Sequence, residues 1–419
     1  MRPARSLALV LSGALAAAVI GVPAHAGTGD TWKVPAQAWI TIKGHGYGHG
    51  HGMSQYGAEG AARQGLGYAK IVEFYYPGTD WGQATGRVTV LLTGATGNTL
   101  EVLARPGLTI KDAATGDRTP LPANGASRWR IATAPNGDNR VSYKTTRWHG
   151  YADLQGAGEF YAGGDPISLV TPDGTRAYRG RLRAAIPTPG SPERDIVNDL
   201  TLESYIKGVV PQEIPASWST EAVRAQAVAA RTYAAYEREH PHGSTYQLCD
   251  TYACQVYGGY DAEYPASNKA VDDTRDKVLT ADGEPAFTQF GSSSGGWTSA
   301  GSVSYLPARQ DPYDGWSGNP VHTWSVKVQD DLIERTWPAI GNLTKIVVTR
   351  RDGNGDWGGR IVSITLVGSS GRVTVSGDTF RAELGLRSTW VTFRVAPRTA
   401  ARPESRADYA VDRLAASRD

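Results

Sequence analysis

The chain has 419 residues, of which 40% are hydrophobic and 20% are charged, so it can build one large or two ordinary domains around real cores. Its formal net charge is only +2 and no cluster of Lys and Arg is visible, which argues against nucleic acid as a partner, since phosphate binding needs a basic face. The chain has twelve Trp and twenty Tyr but only six Phe. Trp and Tyr suit partly solvated surfaces on which sugar rings stack, although a β-rich fold also uses these residues in its core.

Residues 1–26 are predicted to be a signal peptide. Arg2 and Arg5 precede an apolar run from Leu7 to Val22, and Ala24-His25-Ala26 supplies the small residues that a signal peptidase requires. An uncleaved membrane anchor is the alternative, which the well-placed Ala-x-Ala site disfavours. Loss of the two arginines would leave the mature chain formally neutral, and no other segment has the length of a membrane span. We therefore expect a protein that is secreted or located in the cell wall.

The segment Gly44 to Gly57 reads GHGYGHGHGMSQYG, so His45, His49 and His51 alternate with glycines. Glycine tolerates positive φ and lets a backbone come close to a ligand, so this loop is predicted to be part of a site. The three imidazoles could bind a metal such as zinc, but the motif has no adjacent carboxylate and no His-Glu-x-x-His pattern.

After this loop the sequence predicts a helix and then strands. Gly57 to Tyr76 has apolar residues at helical spacing and is ended by Pro77-Gly78. From Gly86 to Arg183, short β-branched or alternating runs separated by turn residues predict strands near Arg87–Leu92, Leu100–Leu103, Trp129–Ile131, Arg140–Tyr143 and Ile167–Val170.

Two helices are predicted at the centre of the chain. The first begins at Leu202 and is closed by Pro211, and the second runs from Ser217 or Ser219 to about Tyr236. The second carries a narrow stripe of mostly small residues that lets another backbone approach: Ala222, Ala225, Ala229 and Tyr233.

These patterns predict an α+β fold in which a mixed, β-rich domain surrounds the central pair of helices and contains an inserted β-rich subdomain. The predicted units are the histidine loop with its helix over 27–85, a β-rich part over 86–190 and a core over 191–395 that ends in strands and Gly/Ser loops. A charged tail over 396–419 has no apolar face and is predicted to be mobile or loosely helical.

Glu213 is a candidate general acid. It lies between an apolar helix end and Ile214-Pro215, where desolvation would raise the carboxyl pKa into the range useful to a general acid. The alternative is that Glu213 only caps the next helix. Glu203 fits an ordinary first-turn acid that is favourable to the helix dipole.

These motifs resemble the SpoIID/LytB family of bacterial cell-wall proteins. The resemblance extends over about Gly86 to Val395, where its motifs are Leu202–Pro215, Glu221–Tyr236, Cys249–Tyr257, Ser292–Gly296, Val375–Asp378 and Leu386–Trp390. Two segments before this range resemble the same family: Gly44–Gln55 and Tyr75–Thr79. In the family's usual order the Gly-His-Gly-x-Gly-Met-Ser-Gln segment follows the strand that here ends near Val395. The resemblance therefore implies a circular permutation, and we expect Gly48 to Gln55 to lie against Glu213.

The resemblance implies a lytic transglycosylase, a carbon–oxygen lyase that cleaves peptidoglycan glycan strands, preferably stripped of stem peptides. Glu213 would protonate the oxygen between N-acetylmuramic acid and N-acetylglucosamine and then deprotonate the muramic acid C6 hydroxyl, giving a 1,6-anhydro product. A hydrolase of the ordinary kind needs two carboxylates, and Asp250, Asp311 and Asp314 are expected to be structural. The alternative is a non-catalytic, glycan-binding amidase enhancer that acts with a cell-wall amidase in wall remodelling or sporulation.

The same resemblance suggests which residues bind the glycan. His49 and Gln55 would hydrogen-bond sugar hydroxyls or N-acetyl groups, while His45 and His51 are as readily structural. The remaining predicted contacts are Ser54, Arg231, Tyr233, Gln255, Ser293 and Ser294.

Cys249 and Cys254 are the two cysteines of the chain. Some family members bind zinc here, which would use His240 or His242, but Ala253 stands where a histidine ligand often precedes the second cysteine. The two cysteines are separated by four residues and the protein is expected in an oxidising compartment, so a disulfide that closes a small loop is favoured. Such a disulfide would stabilise the folded protein by ~2 kcal/mol. No cofactor is expected. The oligomeric state is not indicated by the sequence.

Overall fold

The computed structural model describes residues 29–95 and 97–398 and shows mixed α and β content, as predicted. The predicted signal peptide lies outside the described residues, as does the predicted tail beyond Arg398. Within the described part of the chain, no helix is both long and apolar enough to cross a membrane.

The described residues form seven α-helices: α1 Gln55–Arg63, α2 Tyr68–Tyr75, α3 Leu202–Glu213, α4 Thr220–Glu239, α5 Pro265–Asp273, α6 Asp330–Thr336 and α7 Gly377–Glu383. Three short 3₁₀ segments accompany them: Tyr260–Ala262, Pro338–Ile340 and Asp356–Gly358.

Several predicted helix limits are wrong, each for a local reason. The single helix over Gly57 to Tyr76 is two helices, because the chain turns at Gly65 with φ +89° and restarts after Gly67. Pro211 does not close α3, which continues to Glu213, and α4 extends beyond Tyr236. The short helices α6 and α7 were not predicted, since seven residues are too few to show a helical period.

Two large sheets and α3 build the first core. The seven-stranded sheet has the order Leu248–Cys249, Arg87–Leu91, Asp195–Thr201, Arg181–Ala185, Gly158–Tyr161, Thr109–Asp112 and Arg118–Pro120. The six-stranded sheet has the order Trp148–Leu154, Asn139–Lys144, Arg128–Thr133, Thr99–Leu103, Ile167–Thr171 and Gly174–Tyr178. Val88 and Val90 alternate inward and pack with Tyr205, Ile206 and Val209 of α3.

A second core joins the two ends of the described chain. Ala38–His45 lies between Thr323–Gln329 and Val391–Pro397, antiparallel to both. Beside it stands a four-stranded sheet with the order Asp30–Lys33, Leu343–Arg351, Ile361–Gly368 and Arg372–Ser376.

A third core packs α1 and α2 on α4. Ala58 and Ala61 of α1 meet Ala222, Ala225 and Ala229 of α4. The predicted close approach along the small-residue stripe is confirmed. Two small sheets border this region: Glu284–Pro285, Lys277–Ala281 and Asp80–Gln83 in one, and the parallel pair Met53–Ser54 and Phe290–Gly291 in the other.

A buried ion pair links α3 to α4. Arg231 is fully buried, and its Nε and Nη2 donate to the two carboxylate oxygens of Glu203 at 2.8 and 2.9 Å. Arg231 therefore does not contact substrate, and Glu203 does more than favour the helix dipole. Both predictions are corrected, because a side chain on the inner face of a 20-residue helix between packed elements has no route to the surface.

We expect Arg231→Met to lower the free energy of unfolding by roughly 3–5 kcal/mol, because it leaves the Glu203 carboxylate without its partner. Urea denaturation measures this loss, and Arg372→Met at an exposed strand position is the matched control. A loss no larger than that of the control would contradict the structural role of the pair.

Candidate active site

Glu213 lies at the C-terminal end of α3, where the chain turns extended at Ile214. Its Oε2 accepts a hydrogen bond from Gln55 Nε2 at 3.3 Å, and its Oε1 accepts one from the backbone N–H of Val256 at 3.3 Å. Three segments that are far apart in sequence thus meet at one carboxyl. The predicted proximity of the histidine loop to Glu213 is confirmed by the Gln55 contact.

The environment of Glu213 sets its proton affinity. Burial raises the pKa of Glu213 to about 7, although the hydrogen bonds from Val256 and Gln55 favour the charged form and oppose that rise. The predicted upward shift is confirmed. Near neutral pH the carboxyl can therefore both give and take a proton, as a general acid/base must.

Two cavities flank this carboxyl. A cavity of about 840 Å³ is lined on its aromatic side by Tyr56, Trp218 and Tyr264. A second cavity of about 410 Å³ also borders Glu213, and its polar lining includes His49, Tyr233, Tyr252, Gln255 and Arg381. Glu213 borders both, and no other carboxylate does so within the described residues. Their sizes suit small ligands or sugar units.

Aromatic side chains shape both cavities. The rings of Tyr56 and Trp218 lie 4.9 Å apart, and Trp316 donates its Nε1–H to the Tyr56 carbonyl at 2.9 Å. Tyr252 is 93% exposed at the rim of the second cavity. None of these was singled out from the sequence, because the excess of Trp and Tyr does not show which of them face a cleft.

Cys249 and Cys254 form a disulfide that closes the loop carrying Tyr252. The histidines of the zinc alternative have other partners: His240 Nδ1 lies 2.9 Å from the Tyr236 carbonyl, and His242 Nε2 lies 2.5 Å from a Glu237 carboxylate oxygen. Among the residues that the structure describes, no three or more His, Cys, Asp or Glu side chains are grouped to hold a metal ion.

The alternating glycines of the histidine loop are required by its backbone. Gly46, Gly48, Gly50 and Gly52 all have positive φ, between +65° and +109°. A Cβ on Gly50 would lie 2.3 Å from Arg360 Nη2, and one on Gly52 would lie 1.9 Å from a carbonyl oxygen. The loop can therefore follow this path only with glycine at these positions.

The three loop histidines lie in different surroundings. His45 packs against Trp357 and Trp390 with ring centroids 4.6 and 4.7 Å away, whereas His49 and His51 stack on each other at 5.0 Å. His49 Nδ1 accepts the backbone N–H of His51 at 2.9 Å. Burial, reinforced by positive charges nearby, lowers the pKa of His49 to about 4, so it is neutral at physiological pH.

A buried carboxylate, Asp314, connects the histidine loop to the loop Ser292–Gly296. It accepts hydrogen bonds from Ser54 Oγ at 2.6 Å and from Ser293 Oγ at 2.8 Å, and His322 Nδ1 lies 2.7 Å away. Burial alone would raise the pKa of Asp314, but hydrogen bonds from His322, Ser54 and Ser293 outweigh it and hold the pKa below its usual range. Asp314 is thus ionised and fully engaged.

The serines around this carboxylate are not in the cleft. Ser54, Ser293 and Ser294 are at most 3% exposed, and Ser294 Oγ donates to Asp311 at 2.8 Å. The prediction that they contact substrate is corrected, since their hydroxyls hold two buried carboxylates inside the protein. Asp311, Asp314 and Asp250 are structural as expected; Asp250 accepts hydrogen bonds from the backbone N–H and the hydroxyl of Thr93 at 3.0 and 2.6 Å.

Of the predicted binding residues, four line the cavities: His49, Gln55, Tyr233 and Gln255. Gln255 is only 2% exposed and donates to the Ala230 carbonyl, so just a small part of it is accessible. Arg381, which the sequence did not reveal, lines the second cavity, and its short helix α7 carries no periodic signal that could have placed it there.

We expect Glu213→Gln to stabilise the protein at high pH only. The pKa of this carboxyl is about 4.5 in the unfolded chain and about 7 in the folded protein. The stability that the protonated Glu213 contributes is therefore complete below pH 4.5 and is lost as the pH rises through 7. The variant should gain on the order of 1–3 kcal/mol over wild type at about pH 8 and nothing at about pH 4. Urea denaturation across this range checks it, with exposed Glu383→Gln as control, and a gain independent of pH would contradict the assignment.

The segment that carries Glu213 matches a known protein family. The family model described as Stage II sporulation protein matches residues 191–280, which include α3, α4 and Glu213. An amidase enhancer from Bacillus subtilis (strain 168) is 46% identical over 121 residues, which is 27% of this chain and 16% of that protein.

Two further relatives are named Stage II sporulation protein D. The protein from Bacillus subtilis (strain 168) is 34% identical over 143 residues, covering 28% of this chain and 40% of that protein. The protein from Bacillus amyloliquefaciens is 29% identical over 216 residues, covering 46% of this chain and 60% of that protein. The chain therefore spans less than two thirds of the length of the relatives that it matches.

Proposed function

Because this chain belongs to the SpoIID/LytB family, we propose that it is an exported peptidoglycan lytic transglycosylase with Glu213 as its general acid/base. The substrate is a glycan strand of the cell wall, stripped of stem peptides. The site of action is the cell wall or the space outside the membrane, since the predicted leader directs export.

The observation that carries this proposal is a single buried carboxyl that borders two cavities, where burial raises its pKa to about 7. A glycan strand that crosses both cavities presents one glycosidic bond to Glu213. A hydrolase of the ordinary kind would need a second carboxylate flanking that bond. Within the described residues no second carboxylate lines either cavity, so the chemistry is best assigned to a one-carboxyl reaction.

The reaction balances with this one group. Protonated Glu213 gives its proton to the glycosidic oxygen as the bond to muramic acid C1 breaks. The resulting carboxylate takes the proton of the muramic acid C6 hydroxyl as that oxygen bonds to C1, which yields the 1,6-anhydro end and regenerates the acid. The N–H donors of Gln55 and Val256 hold the two carboxylate oxygens and stabilise the charged form between the steps.

We expect Glu213→Gln to lower the release of anhydro products from peptide-stripped glycan by about 10²–10⁴-fold, because the amide cannot transfer the proton. Mass spectrometry of the products measures this loss, with Glu383→Gln as the control. For the wild type, kcat/KM should fall as the pH rises through about 7, where the acid form of Glu213 is lost. Wild-type activity in Glu213→Gln would refute the mechanism.

A non-catalytic role as an amidase enhancer is the second candidate, and the 46% identity to a protein of that name favours it. In that role the two cavities bind glycan and the chain stimulates a separate cell-wall amidase. The same preparations discriminate the two roles. Stimulation of a purified amidase that is unchanged in Glu213→Gln, together with no anhydro product from the wild type, would support the enhancer over the enzyme.

We also propose that the histidine loop and α1 are the permuted C-terminal part of the family's domain. The pairing of Ala38–His45 with Val391–Pro397 supports this, because the two strands pair along their length and Arg398 N–H donates to the Gln37 carbonyl at 2.7 Å. A connection from Arg398 back to the segment that carries Ala38–His45 would restore the family's order.

A rearranged chain tests the permutation. It starts at Gly86, runs to Arg398 and continues through a flexible linker of about ten Gly and Ser residues into residues 29–85. We expect it to fold with a melting temperature within about 5 °C of a native-order chain over 29–398, because every contact is kept and only the connection changes. An unfolded product, where the native-order control folds, would contradict the permutation.

A further inference from the structure

The two cavities beside Glu213 differ in charge. In the described structure, the lining of the larger cavity contains no Lys, Arg or His, and its aromatic residues give it a neutral surface. The smaller cavity contains Arg381, and His49 beside it is neutral. A ligand that occupies both cavities therefore meets an arginine in the smaller one only.

Arg381 has no partner that would neutralise it. Its Nε donates to the Leu386 carbonyl at 3.3 Å, and within the described residues no carboxylate lies within ion-pair distance of its guanidinium. Its Nη groups are not used by any described acceptor. A guanidinium without a carboxylate partner can bind the carboxylate of a ligand through two parallel hydrogen bonds.

A second cation strengthens the positive potential. Arg360 is buried beneath the histidine loop, where its Nη2 donates to the Ser294 carbonyl at 3.0 Å while its Nη1 has no partner. Arg360 and Arg381 are both close enough to His49 to disfavour its protonation. Two arginines therefore lie in or near the smaller cavity, and none lines the larger one.

We infer that the smaller cavity binds the N-acetylmuramic acid residue and that Arg381 binds its lactyl carboxylate. This inference rests on the proposed glycan substrate. Of the two sugars in the strand, only N-acetylmuramic acid carries a carboxyl group, and that group is free and anionic when the stem peptide is absent. When the peptide is present, the same carboxyl is tied up in an amide bond and carries no charge.

Two consequences follow from this placement. The strand runs in one direction, with the residue whose C1 is attacked in the smaller cavity and the departing N-acetylglucosamine among Tyr56, Trp218 and Tyr264 in the larger one. Preference for peptide-stripped strands then has a cause in this chain, since a peptide amide removes the charge that Arg381 binds.

Binding by an inactive variant tests this inference separately from catalysis. The probes are peptide-stripped glycan and the same glycan after its lactyl carboxyls have been coupled to methylamine, which makes them neutral amides. In the Glu213→Gln background we expect about tenfold tighter binding of the free-carboxyl glycan, the scale of one charged hydrogen-bonded contact. Adding Arg381→Gln should weaken binding of that glycan to the level of the amidated one.

Matched variants make the result specific. Arg372→Gln removes an exposed arginine elsewhere and should keep the tenfold preference, while Arg381→Lys keeps the charge without the fork and should keep part of it. A preference that survives Arg381→Gln, equal binding of both glycans by the parent, or no glycan binding at all would overturn the inference. A preference that depends on Arg381 in a wild type that releases no anhydro product would keep it and overturn the catalytic proposal instead.

Discussion

The active-site region depends on one buried carboxylate, Asp314. Removing an ionised carboxylate from water is costly unless donors replace the lost hydration, and Asp314 has six of them. They come from segments far apart in sequence: Ser54 Oγ, Ser293 Oγ, the backbone N–H groups of Ser294 and Gly295, Asn319 Nδ2 and His322 Nδ1. Ser54 also accepts the N–H of Gly57 and so caps α1, whose first residue is Gln55. The position of Gln55 against Glu213 therefore follows from Asp314.

Asp314 and Glu213 show how the number of donors decides the behaviour of a buried acid. Asp314 has enough donors to stay charged, and it serves as a fixed anchor. Glu213 has two donors at 3.3 Å, too few to offset its burial, and so its pKa rises to about 7. The same desolvation thus accompanies an ionised structural group in one place and a carboxyl with a raised pKa in the other.

The sequence predicted those features that local patterns determine. The alternating strands, the two central helices and the small-residue stripe of α4 each have a period that can be read directly. The apolar neighbours of Glu213 made it a candidate, and the family resemblance, not the local pattern, favoured catalysis over a helix cap. The structural roles of the buried serines and of Arg231 could not be predicted, because a polar residue in a cleft and one in a buried hydrogen-bond network have the same local sequence pattern. Ser54 and Arg231 differ from cleft residues only through distant partners such as Asp314 and Glu203.

Arg381 likewise has no local sequence signal that predicts its place beside Glu213. It lies on a helix of seven residues, about 170 positions after Glu213, and only the packed structure brings the two to one cavity. In the proposed reaction, a single carboxyl could break either kind of bond in an alternating glycan, so Glu213 alone would not select one. Selection requires an asymmetry between the two sides of the carboxyl. For the proposed glycan substrate, the positive cavity and the neutral aromatic cavity that both border Glu213 would supply it, because only one of the two sugars carries a charge.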